Sequence, residues 1–456
     1  MHVIYKGYRM KYCSYFIYVA AIISGCFQIY ADVLITPNDK KINYYGRFDQ
    51  TDPMKPRCNW SGAIIEASFP GPVIGMKMEH QNAFYDIEID GKLDTVISTN
   101  SQKDFVFRKD LSPQIHTVRI KLRSENHNGA GTFLGFYLAD GKELSSPLAK
   151  PVRKIEFIGD SHTAGYGVES QSVNCTDLAR LTNANKAFAA LVTEKFHAQS
   201  IILGWSGAGV VRNYGASGKR SADPYPTRYD QTLGAVWDSK KWDFSSWRPD
   251  LVVICLGTND YSGDTKYDPD DTMFVGDYHK FIDIIYTDYP NVPILCVSPG
   301  KGYLDPMDSY IRKVVQEEVT LRNHSKVYFA VYPDNLQYTG CDYHPNVNDQ
   351  VKIASALCDT IMKKMAWDTV LSTNSLFRNI KCDKNKKISG GIMQNQFEIA
   401  AGTDSKPVWL LNLQGEILES QQIDSDGKCR FNMQKHRSGV YLAGNDHVGW
   451  VSVVKK

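Results

Sequence analysis

At 456 residues the chain has room for about three domains of ~150 residues, and 43% hydrophobic with 22% charged residues excludes a disordered polymer and requires a sizeable core. Its 52 Lys and Arg against 50 Asp and Glu give a formal net charge of +2. Three of those cations, Lys6, Arg9 and Lys11, lie in a leader, so no basic footprint for a nucleic-acid partner remains.

The leader spans 1–31: cations first, then an uncharged stretch from Tyr12 to Tyr30, ending Ile29-Tyr30-Ala31. That is a secretory signal layout. Its strongly apolar part is too short for a spanning helix, and no later segment reaches that length. Ile23-Ser24-Gly25-Cys26 resembles a bacterial lipobox, which would acylate Cys26, whereas cleavage after Ala31 would release the chain free. The expected destination is outside the cell or at its surface.

From 32 to 150 the pattern is β throughout. Tyr85, Ile87 and Ile89 alternate with Asp86, Glu88 and Asp90, and Val118, Ile120 and Leu122 alternate with Arg119, Lys121 and Arg123. This predicts a β-sandwich or jelly roll with one face buried and the other wet, Asp90-Gly91 closing a hairpin. From 151 to 367 apolar runs at 154–158, 199–203, 251–256, 293–297 and 326–331 alternate with helical spacings such as Phe188, Leu191, Val192, Phe196 and Tyr278, Phe281, Ile282, Ile285. Strands apolar on both faces belong to a parallel sheet covered by helices, so a doubly wound, flavodoxin-like α/β domain is expected, with ligands at the carboxyl ends of its strands. From 368 to 456 only short strands are read, a small all-β module. Its ending, GVYLAGNDHVGWVSVVKK after VWLLNLQGEILES, resembles the sorting domain of type IX secretion, which implies secretion machinery as a partner.

Ser161 stands directly after a strand in IEFIGDSHTAGYG, and three further polar blocks follow at strand ends: WSGAGVVRNYG from Trp205, LGTND from Leu256 and CDYHPN from Cys341. A serine hydroxyl is a weak nucleophile that needs a neutral imidazole to take its proton and donors for the oxygen that gains charge. Ten cysteines show no CxxC spacing and eleven His no HExxH pair; neither a metal nor a cofactor is expected. Cys255 and Cys296 sit in apolar runs and read as core thiols. A disulfide between Cys175 and Cys341 beside the site stays open, because spacing does not fix connectivity.

The four blocks in this order resemble the SGNH (GDSL) hydrolase superfamily. That resemblance implies Ser161 as nucleophile, His344 as base, and an oxyanion hole of the Ser161 and Gly207 N–H groups with the Asn259 amide, Gly209 being the alternative to Gly207. Where many such enzymes carry Asp three residues before the His, this chain has Cys341, with Asp342 two before. The block is similar to that of carbohydrate esterase family 2, as are GRFDQTDPMKPRCNWSGAIIEASFPG, FLGFYLADGKELSSP and RKIEFIGDSHTAGYGVE, a match from about Tyr45 to Met365. In that family a backbone carbonyl can replace the acid, and Asp342 is taken here as the group that orients His344. The resemblance implies an acetyl esterase acting on plant cell-wall polysaccharides, with Tyr343 and Trp205 against the sugar. Two other readings stay open: an SGNH lipase or thioesterase for longer acyl chains, and a non-catalytic carbohydrate-binding protein.

Overall fold

A computed structural model describes residues 32–100, 103–127, 129–234, 240–300 and 306–368, and strands between 390 and 455. The leader, Cys26 included, lies outside the described residues.

Ten short strands come first: β1 (Asp32–Ile35), β2 (Asn43–Tyr45), β3 (Arg57–Cys58), β4 (Ile64–Pro70), β5 (Ile74–Glu79), β6 (Phe84–Ile89), β7 (Lys92–Ser98), β8 (Asp104–Arg108), β9 (Ile115–Leu122) and β10 (Gly131–Ala139). They form two antiparallel sheets, β1-β10-β5-β8 with β3 on β10, and β2-β4-β9-β6-β7. Tyr85, Ile87, Val118, Ile120 and Leu122 from the second sheet share one core with Met76, Met78, Phe133 and Phe136 from the first. Asp90 and Gly91, at φ +51° and +71°, close the β6–β7 hairpin, as a turn needing two positive φ values requires.

The polar face of the second sheet is covered at one end only: Asp90 is exposed and Glu88 and Arg119 are half-buried. Asp86, Lys121 and Arg123 are only 6%, 4% and 4% exposed, because the next domain packs on them. Arg123 pairs with Asp86 at 2.9 Å and with Glu169, Asn185 Nδ2 donates to Asp86 at 2.8 Å, and Lys121 lies 3.5 Å from Glu194. Alternation reports which face is polar; here part of that face is covered by groups that satisfy its charges.

The second domain runs β11 (Arg153–Gly159), α1 (Ser161–Ala164), α2 (Leu178–Leu181), α3 (Phe188–Lys195), β12 (Ala198–Gly204), β13 (Leu251–Cys255), α4 (Asp271–Asp288), β14 (Ile294–Ser298), α5 (Met307–Thr320), β15 (Val327–Val331) and α6 (Val347–Met365). The five strands are parallel in the order β12-β11-β13-β14-β15. Helices α4 and α5 bury Phe274, Phe281 and Ile311 against Ile158 and Ile254 on one face. Helices α3 and α6 bury Phe188 and Ile353 against Ile155 and Phe157 on the other. The strand order reverses between β11 and β13, so the carboxyl ends of these two strands flank the crevice such sheets use for ligands.

One charge interrupts β11. Glu156 is fully buried and pairs at 3.1 Å with Arg47, itself fully buried and contributed by the first domain. Arg47 also donates to the Tyr229 and Gln231 carbonyls, and Tyr229 Oη donates to Glu156 at 2.9 Å. Together with the bond from Trp60 Nε1 to the Thr232 carbonyl at 3.0 Å, this pair ties the two domains together.

Seven C-terminal strands follow: β16 (Gly390–Met393), β17 (Gln396–Ala400), β18 (Val408–Leu411), β19 (Ile417–Gln421), β20 (Lys428–Asn432), β21 (Gly439–Asn445) and β22 (Gly449–Lys455). They pair as β16-β17-β20 and β19-β18-β21-β22. Among the described residues no helix is long and apolar enough to cross a membrane.

Candidate active site

Strand β11 ends at Gly159, and Asp160 then caps α1 by accepting from His162 N at 3.0 Å, which places Ser161 at the first helical position. Burial pushes the Asp160 carboxyl up to about 6, while the bonds it accepts from Thr258 Oγ1 and His162 N pull the other way. On the far side of the crevice the chain leaving β13 brings Asn259 to the same point. Its Nδ2 donates to the Ala208 carbonyl at 3.0 Å and lies 3.4 Å from Asp160 Oδ2.

His344 reaches Ser161 from the loop before α6: its Nε2 is 2.8 Å from Ser161 Oγ. Its Nδ1 is 2.8 Å from the Cys341 carbonyl, which also accepts the His344 backbone N–H at 3.0 Å. The chain can fold back so sharply because Asp342 and Tyr343 are both left-handed, at φ +50° and +62°, a conformation costly for a bulky side chain and concentrated at functional sites. The expectation for Asp342 therefore needs correction. Its carboxylate turns outward and accepts from Tyr166 Oη at 2.8 Å, and the group facing Nδ1 is a peptide carbonyl. Nδ1 then carries the proton and Nε2 is left as the acceptor toward Ser161. Burial holds His344 below its usual value, opposed by the Cys341 and Asp342 backbone and by the Asp342 charge.

The His loop is fastened to the segment after Ser161. Cys341 forms a disulfide with Cys175, Asp342 N donates to the Val173 carbonyl at 2.8 Å, and Val347 N donates to the Val168 carbonyl at 3.1 Å. The pairing left open by the sequence is thus present, and it tethers the residue whose carbonyl holds His344.

The loop after β12 carries the two glycines, Gly207 and Gly209, between which the sequence leaves the oxyanion-hole expectation open. Gly207 has φ +82°, and a Cβ there would meet nothing closer than Tyr214 Cβ at 4.0 Å. The Gly209 N–H is taken by Asn213 Oδ1 at 3.1 Å, and a Cβ on Gly209 would fall 2.0 Å from the Arg212 carbonyl. Of the two glycines, Gly207 is the one with open space beside it and Gly209 the one closed in by the loop. Asp260 braces the loop by accepting from the Val210, Val211 and Arg212 N–H groups at 2.9, 2.7 and 2.9 Å; burial still pushes its carboxyl up to about 7.

Of the two aromatic residues expected at the sugar, Tyr343 is 68% exposed. Trp205 is half-buried and packs against protein: His127 stacks on its ring at 4.2 Å, the Arg228 guanidinium lies 4.5 Å from it, and Trp60 meets its edge. A second open ring, missed in the sequence, is Tyr214, 68% exposed and next to Gly207. Tyr166, whose ring centroid is 4.4 Å from that of His344, was likewise passed over although it lies within the Ser161 block. Among the described residues no group of three or more His, Cys, Asp or Glu is placed to hold a metal ion.

Residues 44–147 match the family model for the carbohydrate esterase 2 N-terminal domain, and residues 157–348 match that for the GDSL-like lipase/acylhydrolase family. The chain is 36% identical over 345 residues to the cellulase/esterase CelE of Acetivibrio thermocellus, covering 73% of this chain and 41% of that protein, so it spans less than half of that relative's length. It is 30% identical over 324 residues to an acetylxylan esterase / glucomannan deacetylase of Cellvibrio japonicus, covering 68% of this chain and 87% of that one. Among solved structures, a family two carbohydrate esterase from Clostridium thermocellum in complex with cellohexaose is similar at a TM-score of 0.65 and 32% identity, covering 72% of this chain and 99% of that one.

Proposed function

The chain belongs to carbohydrate esterase family 2, and on that premise we propose that it removes O-acetyl groups from plant cell-wall polysaccharides, acetylxylan or acetylglucomannan, through an acetyl-enzyme on Ser161. The observation that carries this reading is the 2.8 Å contact between Ser161 Oγ and a His344 whose other nitrogen is held by a peptide carbonyl. Neutral His344 takes the Ser161 proton as Oγ attacks the acetyl carbonyl, then returns it to the departing sugar oxygen. Water repeats the sequence on the acetyl-enzyme and releases acetate.

The oxygen that becomes negative in each tetrahedral intermediate is received by the Ser161 and Gly207 N–H groups and by Asn259. One Asn259 N–H is committed to the Ala208 carbonyl; the other has only the 3.4 Å contact to Asp160 and is the one an oxyanion would take. Each such donor is worth about 10²–10³ in rate. The exposed rings of Tyr343 and Tyr214 offer flat apolar faces for the C–H surface of a sugar.

The organisation belongs to the same proposal: a leader over 1–31, a jelly roll over 32–150, the hydrolase domain over 151–367 and a C-terminal module over 368–456 that serves secretion. The activities by which the relatives are named support the substrate, and the leader layout supports export. Acetate release from acetylated xylan and acetylated glucomannan, beside 4-nitrophenyl acetate and a long-chain ester, tests the reading. Release from glycan with little long-chain turnover is expected; turnover of long chains without acetate from either glycan would replace the proposal with a lipase or thioesterase.

A further inference from the structure

We infer that Glu125, a residue of the jelly roll, is a positioning residue of the reaction, holding the loop that presents the Gly207 N–H to the substrate oxygen. The inference rests on the assignment of Gly207 to the oxyanion hole. Glu125 lies just beyond β9 and reaches across to the hydrolase domain, where both of its carboxylate oxygens are used on one residue. Oε1 accepts the Ser206 backbone N–H at 2.8 Å, and Oε2 accepts from Ser206 Oγ. Ser206 immediately precedes Gly207. Two residues further along the same segment, His127 places Nε2 3.1 Å from Glu125 Oε1 and stacks its ring on Trp205 at 4.2 Å with the planes 14° apart. Asn126 between them donates to the Gln81 carbonyl, which fastens the segment to its own domain. Residues 125–127 thus grip residues 205–206 from outside the hydrolase domain.

The grip fills a gap in how the loop is held. Upstream, Trp205 N donates to the Gly159 carbonyl at 2.9 Å. Downstream, Asp260 fixes residues 210–212, and the Gly207 carbonyl accepts from Tyr214 N at 2.8 Å. Between these anchors Trp205 to Ala208 form a turn closed by Ala208 N donating to the Trp205 carbonyl at 3.2 Å, with Gly207 at its positive-φ position; the central peptide of that turn, which carries the Gly207 N–H, is the part the clamp has to orient. The two Glu125 bonds fix the Trp205–Ser206 peptide and the Ser206 side chain, so that only the Ser206 backbone torsions separate the clamp from the plane of the Gly207 amide. A donor must sit within about 3 Å of where the oxyanion forms, and a 1 Å misplacement can cost about 10² in rate. The same side chains wall a cavity of about 340 Å³, with Asn82, Glu125 and His127 opposite Tyr166 and Thr182. Tyr166, one wall of that cavity, has its ring centroid 4.4 Å from that of His344, which sets the clamp beside the catalytic histidine. It follows that the jelly roll supplies part of the positioning the hydrolase domain needs for catalysis.

The test uses the full chain with Glu125→Ala, Glu125→Gln and Ser206→Ala, assayed on 4-nitrophenyl acetate and acetylated glucomannan, with urea unfolding alongside. Glu125→Ala is expected to lower kcat about 10- to 100-fold on both substrates with KM within about threefold. Gln, whose amide oxygen still accepts from the Ser206 N–H, restores part of that loss. Adding Ser206→Ala to Glu125→Ala is expected to cost nothing further. Wild-type kcat in a folded Glu125→Ala protein, or a loss confined to KM, overturns the inference. Where the Ala protein does not fold, Glu125→Gln decides: a kcat about 3- to 30-fold below wild type supports the clamp and an unchanged kcat overturns it. Gly207→Ala separates the two layers. If it keeps wild-type kcat, the oxyanion assignment fails and the clamp with it; if it is impaired while Glu125→Ala is not, only the clamp fails.

Discussion

Replacing Asp342 by Asn distinguishes a carboxylate-oriented histidine from a carbonyl-oriented one. Were the Asp342 carboxylate bonded to His344 Nδ1, the amide would favour the wrong tautomer and cost about 10⁴ in kcat, or about 5.5 kcal/mol at 1.36 kcal/mol per decade. The observed acceptor is the Cys341 carbonyl at 2.8 Å, and Asp342 instead accepts from Tyr166 Oη, also at 2.8 Å. An Asn keeps that acceptor and leaves Nδ1 undisturbed. What is lost is the charge of an exposed side chain, screened by water, so the fall in kcat should stay below about tenfold, under about 1.4 kcal/mol. The pH profile supplies a signed check. Only neutral His344 can take the Ser161 proton, so kcat/KM falls as pH drops through the His344 pKa. Burial places that limb below 6.5, and the Asp342 charge works to raise it. In Asp342→Asn the limb should move to lower pH. Steady-state rates on 4-nitrophenyl acetate between pH 4 and 8 read both effects: a loss of about 10³ or more would refute the carbonyl arrangement, and a limb moving upward would refute the influence of the Asp342 charge on His344.

Cys175→Ser releases the Cys341 carbonyl from its covalent tether; kcat is expected to fall about tenfold with KM little changed, and stability by about 2–4 kcal/mol. Dithiothreitol should reproduce the kinetic loss in the wild type and add nothing in the variant. Gly207→Ala meets open space but a left-handed backbone at φ +82°, so circular dichroism should stay native while kcat drops about 10²-fold, the scale of one oxyanion donor. Arg47→Met removes the partner of the fully buried Glu156, which must then stay charged and unpaired or take up a proton. Urea unfolding should show about 3–5 kcal/mol lost, with much of it recovered in Arg47→Met/Glu156→Gln.

The parallel sheet was legible because its strands are apolar on both faces, and runs such as Leu251–Cys255 have few alternatives. Ser161, Asn259 and His344 could be picked out together because the order of their blocks resembles that of the SGNH hydrolases, and the fold brings Ser161 and Asn259 to the reversal between β11 and β13. Asp342 was misread for a definable reason. Spacing says that a carboxylate is near the histidine, but two successive left-handed residues decide which atom faces Nδ1, and backbone handedness at Tyr343 leaves no mark on composition. The polar face of β6 and β9 looked like a solvent face because alternation cannot distinguish water from a charged domain surface. Glu125 and Ser206 are 81 residues apart and Cys175 and Cys341 are 166 apart, with no periodicity or motif joining either pair. Trp205 was assigned to the sugar from its place beside the Gly-rich turn, a place that equally suits packing against His127, Arg228 and Trp60.

The most direct measurement of the central claim is acetate released from acetylated glucomannan and acetylated xylan by the wild type and by Ser161→Ala, followed by NMR. Steady release by the wild type and none above background by the variant is the predicted result. Equal release by both proteins would contradict the assignment of Ser161 and the serine-esterase account built on it.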